Sequence, residues 1–398
     1  MHRYSEKRRI LYCSPALTFG GEQKQLVQIL QHLNRERFGI TICSIRPFGH
    51  LDEAIKKSGV PLICLGRPNP YDLRSILELR QIIKKHHIDL MQIGIFGSEF
   101  HGMLAALSTG TPVVAILQSM FDLTDRAQAS PKTGIAWRCK WRTLYAVHGL
   151  LARIAKVHYV ALSEAVKVSA IRELHLPSRR VSVVPLGLIP GDFDRMRYSE
   201  QIVKIKSELA LNGAYPVLLN VSRLSPPKGL PDLLKAMPCI RERFPRVKLL
   251  IAGDGPLQAE LEELRDRLDL HNEVLLLGRR DDIHALLHVA DLFVFSSVYE
   301  GLPGAVIEAM AASKSVVAFD IPALREIIID GQTGTLVRGR NTDQLAEAVI
   351  HQVEHPEIAR TMGEKGRQVV QERFDIRQNM KSLEAIYEKM LTGSPVGS

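Results

Sequence analysis

Two pairs of charged residues stand where strand ends give way to helices. The first is Glu300 and Glu308, in the run Ser296-Ser-Val-Tyr-Glu300-Gly-Leu-Pro-Gly-Ala-Val-Ile-Glu308, which follows the apolar stretch Leu292–Phe295. Pro303 suits a first helical turn, so Gly301, Leu302, Pro303, Gly304 and Ala305 would open a helix whose free N–H groups can receive an anion. Glu308 falls one turn further in, where a carboxylate can accept two ribose hydroxyls, while Glu300 stands beside the anion. The same two acids also fit a helix cap and a surface position. The second pair is Arg223 and Lys228, which bracket a loop stiffened by Pro226 and Pro227. A guanidinium fork and an ammonium point charge can together grip a diphosphate; two solvated surface cations are the plainer alternative. Gly253, in Gly253-Asp-Gly-Pro256, follows another apolar stretch, and Asp254 there suits a turn better than chemistry. Gly20 and Gly21 end the first strand–helix loop, where glycine lets the backbone approach a ligand or simply makes a tight turn.

Several chemistries lack their usual markers. There is no G-x-G-x-x-G after a strand, no G-x-x-x-x-G-K-[ST] and no H-E-x-x-H, which argues against nicotinamide redox chemistry, P-loop phosphoryl transfer and zinc hydrolysis. Asp281-Asp282 precede a helix and read as an N-cap rather than a metal site. With cations and a helix N-terminus at hand for a diphosphate, neither a metal nor another cofactor is required. Five scattered cysteines, never in a C-x-x-C pair, indicate neither a disulfide framework nor a zinc site, and Cys13, Cys43 and Cys64 fall in or at the end of strands that should be buried.

These residues need a scaffold of strands and helices to bring them together. Candidate strands are Arg9–Cys13, Ile40–Ile45, Leu62–Leu65, Asp89–Ile93, Val113–Leu117, His158–Ala161 and Val181–Val184, then Val217–Val221, Lys248–Ala252, Val274–Leu277, Leu292–Phe295, Val316–Phe319 and Thr335–Val337. Amphipathic stretches such as Glu22–Leu33 and Leu73–His86 lie between them. Strands apolar on both faces, alternating with helices, imply parallel sheets covered on both sides. Two such series imply an α/β protein of two doubly wound domains, 1–195 and 196–375, facing each other across a cleft. Beyond about Ala346 the chain reads as helix to Leu391, with 376–398 a helix returning toward the N-terminal domain and a tail.

The 398 residues carry a formal charge of +9, unevenly. Residues 1–195 hold 27 Lys and Arg against 15 Asp and Glu, a net +12, and the remainder is −3. The first half should therefore meet something anionic. Between Pro131 and Lys156 lie Trp137, Trp141 and Tyr145 at helical spacing, with Lys132, Arg138, Lys140, Arg142, Arg153 and Lys156 nearby. That composition suits the interface of an anionic membrane; burial of the aromatic stripe against a sheet explains it equally. The basic residues are spread over many elements without a recognised nucleic-acid module, so no nucleic-acid partner is expected. No apolar run reaches membrane-spanning length and no signal peptide is evident, so the expected location is cytoplasmic, at the inner face of the membrane.

The motif Glu300-Gly-Leu-Pro-Gly-Ala-Val-Ile-Glu308-Ala-Met310 resembles the signature of the retaining nucleotide-sugar glycosyltransferases of family four. Further similarities fall in the family's order: Phe19-Gly-Gly-Glu22, Val221-Ser-Arg-Leu-Ser-Pro-Pro-Lys228-Gly229, Ala252-Gly-Asp-Gly-Pro256 and Asp330-Gly-Gln-Thr-Gly334. The resemblance covers nearly the whole chain. It implies two Rossmann-like domains in the GT-B arrangement, Arg223 and Lys228 on the donor diphosphate, Glu308 on the ribose and Glu300 at the donor sugar. It places Gly20 and Gly21 by the donor phosphates, and Gln118 close to the donor sugar, where many members carry His; an amide there cannot become cationic. The other donor-binding positions it implies are Gly253 and Gly301–Ala305. It further implies a nucleotide-sugar donor, expected to be a UDP-sugar in preference to a GDP-sugar, and the basic first half then points to a glycan or lipid-linked envelope precursor as acceptor. Departures at Pro185-Leu-Gly-Leu-Ile189 and Ile321-Pro322-Ala323 bear on the sugar rather than the phosphates. A non-catalytic nucleotide-sugar-binding protein and a nucleotide-sugar epimerase are the alternatives on the same fold.

Overall fold

The computed structural model describes residues 7–16, 21–47, 52–69, 72–94, 99–122, 134–185 and 187–394. Two compact units divide them: one holds the described residues up to Gly187 together with those from Ile376 onward, and the other holds Leu188–Asp375. The chain thus changes unit between Gly187 and Leu188, ahead of the 195/196 division read from the loop composition. The short turns Pro190–Phe193 and Arg195–Tyr198 already belong to the second unit: the Tyr198 hydroxyl bonds His284 at 2.8 Å, and the Phe193 ring packs at a tilt against the same imidazole, centroids 4.3 Å apart.

The first unit is built on β1 (Arg8–Ser14), β2 (Phe38–Ser44), β3 (Leu62–Cys64), β4 (Leu90–Gly94), β5 (Val113–Leu117), β6 (Val157–Ala161) and β7 (Val181–Val183), in the order β3-β2-β1-β4-β5-β6-β7. All its pairings are parallel. Every residue of β4, β5 and β6 is buried, as expected for strands covered on both faces. Cys13 and Cys43 are buried, whereas Cys64, at the end of the edge strand, is exposed and packs no core. Helix Arg74–Lys85 buries Ser75, Leu79 and Ile83, one residue per turn, which is why a four-residue spacing was legible there.

The second unit repeats the scheme with β8 (Val217–Val221), β9 (Lys248–Ala252), β10 (Val274–Leu276), β11 (Leu292–Phe295), β12 (Val316–Phe319) and β13 (Gly334–Val337), all parallel, in the order β10-β9-β8-β11-β12-β13. Both sheets reverse their direction of growth at an inner pair, β1/β4 and β8/β11. Ligands of doubly wound sheets bind beyond the carboxyl ends of strands at such a reversal.

At β8/β11 the strands part. β8 pairs with β9 along all five of its residues, but with β11 only at Leu218 and Leu219. Where that ladder stops, the Asn220 side chain takes over: its amide donates to the Val294 carbonyl at 2.8 Å and its oxygen accepts from the Ser222 hydroxyl at 2.7 Å. Asn220 is fully buried. A polar residue inside the apolar run Val217-Leu-Leu-Asn-Val221 is costly unless it is paired, and here it spans the opening between two strands.

The region from Ala346 onward is helical, in three helices: Thr342–Glu354, which stops before Pro356, Pro356–Arg373, which stops before Asp375, and a last one. The last, Ile376–Thr392, joins the first unit. It buries Ile376, Met380, Leu383, Ile386 and Tyr387 along one face. The Tyr387 hydroxyl donates to Gln92 on β4, its ring packs 5.7 Å from Phe38, and Glu384 accepts the Asn34 N–H at 2.8 Å. Each fully buried apolar side chain of that face stabilises the unit by roughly 1.5–3 kcal/mol.

Two measurements check this packing. Asn220→Ala leaves the Val294 carbonyl and the Ser222 hydroxyl without their partner and should cost about 1–3 kcal/mol in urea unfolding. In the first unit His148 is buried between Phe100 and Tyr159, with ring centroids 6.4 and 5.6 Å away. Burial lowers its pKa from 6.5 to about 4. The unfolded chain therefore binds this proton more readily than the folded one, and stability present above pH 6.5 falls as the pH drops from there toward 4. His148→Phe should remove about 1–2 kcal/mol of the stability difference between pH 7.5 and pH 5; an unchanged difference would show that this ring does not couple to folding.

Candidate active site

The loops after β8 and β11 lie side by side at the second unit's reversal, and they bring two of the charged residues into contact. Lys228 ends a short 3-10 turn, Pro226–Lys228, held by its own N–H on the Ser225 carbonyl at 3.0 Å. Its Nζ donates to Glu300 Oε1 at 2.5 Å and lies 5.9 Å from the centre of the Phe295 ring. Both side chains are largely covered, with 21% of Lys228 and 11% of Glu300 exposed. The backbone locks the two loops together as well. The Val298 N–H donates to the Pro227 carbonyl at 2.9 Å, and the Ser296 hydroxyl donates to the Lys228 carbonyl at 2.9 Å.

Glycine makes that approach possible. Gly229 has φ +59°, and a Cβ there would stand 2.1 Å from the Ser296 carbonyl oxygen. Gly253, which follows β9 with φ +151°, would place a Cβ 1.9 Å from the Ser222 oxygen. Any side chain at either position pushes the β8 loop off its neighbours. Arg223 rises from this crowded base: it is exposed, and no ion pair engages it among the described residues.

Beyond Glu300, Gly301, Leu302 and Pro303 are buried and lead into helix Gly304–Ala311. Pro303 is the N-cap of that helix, with ψ 97°, rather than a residue of its first turn. Its carbonyl accepts from the N–H groups of Val306 and Ile307, which leaves the Gly304 and Ala305 N–H groups without an intrahelical acceptor. The positive end of the helix dipole therefore begins four residues after Glu300 in the chain. Glu308 is half-buried one turn along the helix.

Gln118 and Gly21 belong to the first unit. Gln118 directly follows β5, and its amide donates to Gln25 Oε1 at 3.0 Å, on the helix that opens at Gly21. Gly20 lies outside the described residues. Asp282 stands at the N-cap of helix Ile283–Val289 without a capping hydrogen bond; its carboxylate instead holds Arg280 through two bonds at 2.9 and 2.6 Å. The Arg280 guanidinium keeps the Asp282 carboxyl below the usual carboxylate range. Among the described residues no group of three or more His, Cys, Asp or Glu is arranged to hold a metal ion.

Three contributors escaped the reading of motifs. Asn220 and Ser296 support the site, and Gln25 partners Gln118. The signal for the first two was a polar residue inside, or directly after, an apolar strand run. The aromatic stripe is ordered as a ladder, with Trp137 and Trp141 6.1 Å apart and Trp141 and Tyr145 5.9 Å apart. Tyr145 is buried and donates to the Phe121 carbonyl at 3.0 Å, while the tryptophans are half-buried.

The site and fold have relatives. The family model for glycosyltransferase family 4 matches residues 19–190, and that for glycosyl transferases group 1 matches residues 201–369. An Escherichia coli protein named UDP-Gal:alpha-D-GlcNAc-diphosphoundecaprenol alpha-1,3-galactosyltransferase is 25% identical over 380 residues, covering 93% of this chain and 94% of its own. Among solved structures, Anabaena Alr3699/HepE in complex with UDP and glucose superposes with a TM-score of 0.79 at 22% identity, covering 95% of this chain and 99% of its own. A glycosyltransferase from Rickettsia africae superposes with a TM-score of 0.81 at 20% identity, covering 98% and 100%. With two Rossmann-like sheets, the charged residues of its motifs at the reversal of the second, and these two models matched in succession, the chain belongs to the group 1 glycosyltransferases of family 4.

Proposed function

We propose that this protein transfers a sugar from a UDP-sugar, with retention of anomeric configuration, to a hydroxyl of a lipid-linked glycan precursor of the cell envelope. The observation that carries the reading is the Lys228–Glu300 pair at the β8/β11 reversal, flanked by the exposed Arg223 and the start of helix Gly304–Ala311. An ammonium has three donors. Glu300 occupies one and orients the group, and the others serve a phosphate oxygen. Arg223 adds a forked grip on a second phosphate, and the Gly304 and Ala305 N–H groups complete an electropositive seat.

As the bond to the leaving diphosphate breaks, negative charge builds on its oxygens and positive charge on the sugar. Fixed donors already aimed at those oxygens lower the barrier without reorganising at the moment of reaction. Glu308 holds the ribose hydroxyls, and Glu300, tethered by Lys228, faces the sugar end of the donor. Gln118 contributes an amide to the sugar, and Gly20, Gly21 and Gly253 allow the backbone near the donor. Charge neutralisation falls to these groups rather than to a metal. The choice of UDP and of a lipid-linked acceptor is supported by what the Escherichia coli relative's name says of that enzyme and by the UDP bound in the Anabaena structure.

Three outcomes follow. Lys228→Ala should lower kcat/KM for the UDP-sugar by about 10²–10³, the loss typical of one preorganised donor to a developing oxyanion; near-wild-type turnover would remove the central assignment. Excess EDTA should leave the rate unchanged. The first-formed product, followed by NMR, should keep the donor's anomeric configuration, and inversion would overturn the stereochemical part of the reading.

A further inference from the structure

The helix Ile135–Ile154 has two apolar faces, and among the described residues one is buried and the other exposed. Tyr145, His148, Leu151 and Ala152 are buried. On the other side Ile135 is 83% exposed, Leu150 59%, Ile154 57% and Val147 42%. At 100° per residue these four fall within about a third of a turn of one another. Exposed cations border them: Arg138, Lys140, Arg142 and Arg153 on the helix and Lys156 just after it. No acidic residue stands between Asp125 and Glu164.

The neighbouring helices extend the surface. Helices Glu99–Thr109, Ile135–Ile154 and Glu164–Leu174 connect β4, β5, β6 and β7, which are adjacent in the sheet in that order. Right-handed crossovers between adjacent parallel strands put all three on one side, and the flanking two expose Leu107 and Val168. A soluble surface seldom gathers large apolar side chains in this way.

From this arrangement we infer that the face carrying Ile135, Val147, Leu150 and Ile154 docks on an anionic phospholipid surface, with the helix lying in the plane of the interface. Charge complementarity selects that occupant. A second copy of the chain would bring like charges together, and a nucleic acid would meet the cations but leave the isoleucines and leucine with nothing to cover them. A lipid surface takes both, the apolar side chains among the acyl chains and the cations among the headgroups. Among the described residues no helix is long and apolar enough to cross a membrane, so the contact is peripheral. The half-buried tryptophans, which the composition first singled out, face away from the docking residues.

The test is sedimentation of the full chain with sucrose-loaded vesicles, one set of phosphatidylcholine alone and one with about a third phosphatidylglycerol. The chain should bind the anionic vesicles at least about tenfold more tightly than the neutral ones. Leu150→Gln with Ile154→Gln, and separately Arg138→Gln with Arg142→Gln, should each weaken that binding about tenfold, with melting temperatures unchanged. Met196→Gln, which alters a residue 86% exposed in the other unit, should have no effect. Absence of binding to anionic vesicles, or equal binding by all variants, overturns the proposal. So does a dimer in light scattering that the Leu150/Ile154 variant abolishes, since the face would then belong to a second copy. Vesicle binding is read without any sugar transfer, so its failure leaves the transferase reading untouched.

Discussion

An ion pair across two neighbouring loops organises the second unit. Lys228 and Glu300 are far apart in the chain, yet they meet because β8 and β11 are adjacent strands whose ladder ends early. The opening so created would weaken the sheet if nothing bridged it, and Asn220 bridges it from inside the core. The loops above can then approach to hydrogen-bonding distance only because Gly229 and Gly253 have no side chain to collide with the facing carbonyls. The pair is the visible end of a chain of constraints: strand order, strand divergence, a buried amide and two glycines. The fold fixes the Lys228 ammonium in place, ahead of any donor in the proposed reaction, and its carboxylate partner keeps it from being an unpaired, largely covered charge.

The two units share a topology but not a surface. In the second, the polar groups gather at the carboxyl ends of the central strands. In the first, the outstanding feature among the described residues lies on the helical layer, where an apolar face with a cationic border is exposed. This gives the uneven net charge a location. The acidic half contains the cations that we propose for the donor diphosphate, so the proposed anionic partner of the basic half is a separate one, the lipid surface.

Much of this was legible in the residues. Strands buried on both faces are continuous apolar runs, and each of the thirteen expected positions holds a strand within a residue or two of the expected ends. The strand-end motifs likewise marked where charged groups would cluster. What stayed hidden was tertiary. No local pattern shows that Lys228 pairs with Glu300 instead of standing free, because that depends on which strands become neighbours. Pro303 fits a first turn or an N-cap equally well, and only the Val306 and Ile307 hydrogen bonds decide it. The aromatic stripe of helix Ile135–Ile154 drew attention to its inner face, whereas the exposed residues are aliphatic and less conspicuous in sequence. For the last helix, expected to return toward the first domain, the contact of Tyr387 with Gln92 that ties it to the first unit has no sequence signature.

The β8 and β11 loops are the proposed seat of a diphosphate, and the affinity of UDP relative to uridine tests that directly. Calorimetric titration of the wild type and of an Arg223→Ala/Lys228→Ala variant should show UDP binding weakened about a hundredfold, with the weak binding of uridine unchanged. Wild-type affinity for UDP in the variant, or a parallel loss of uridine and UDP, would contradict it.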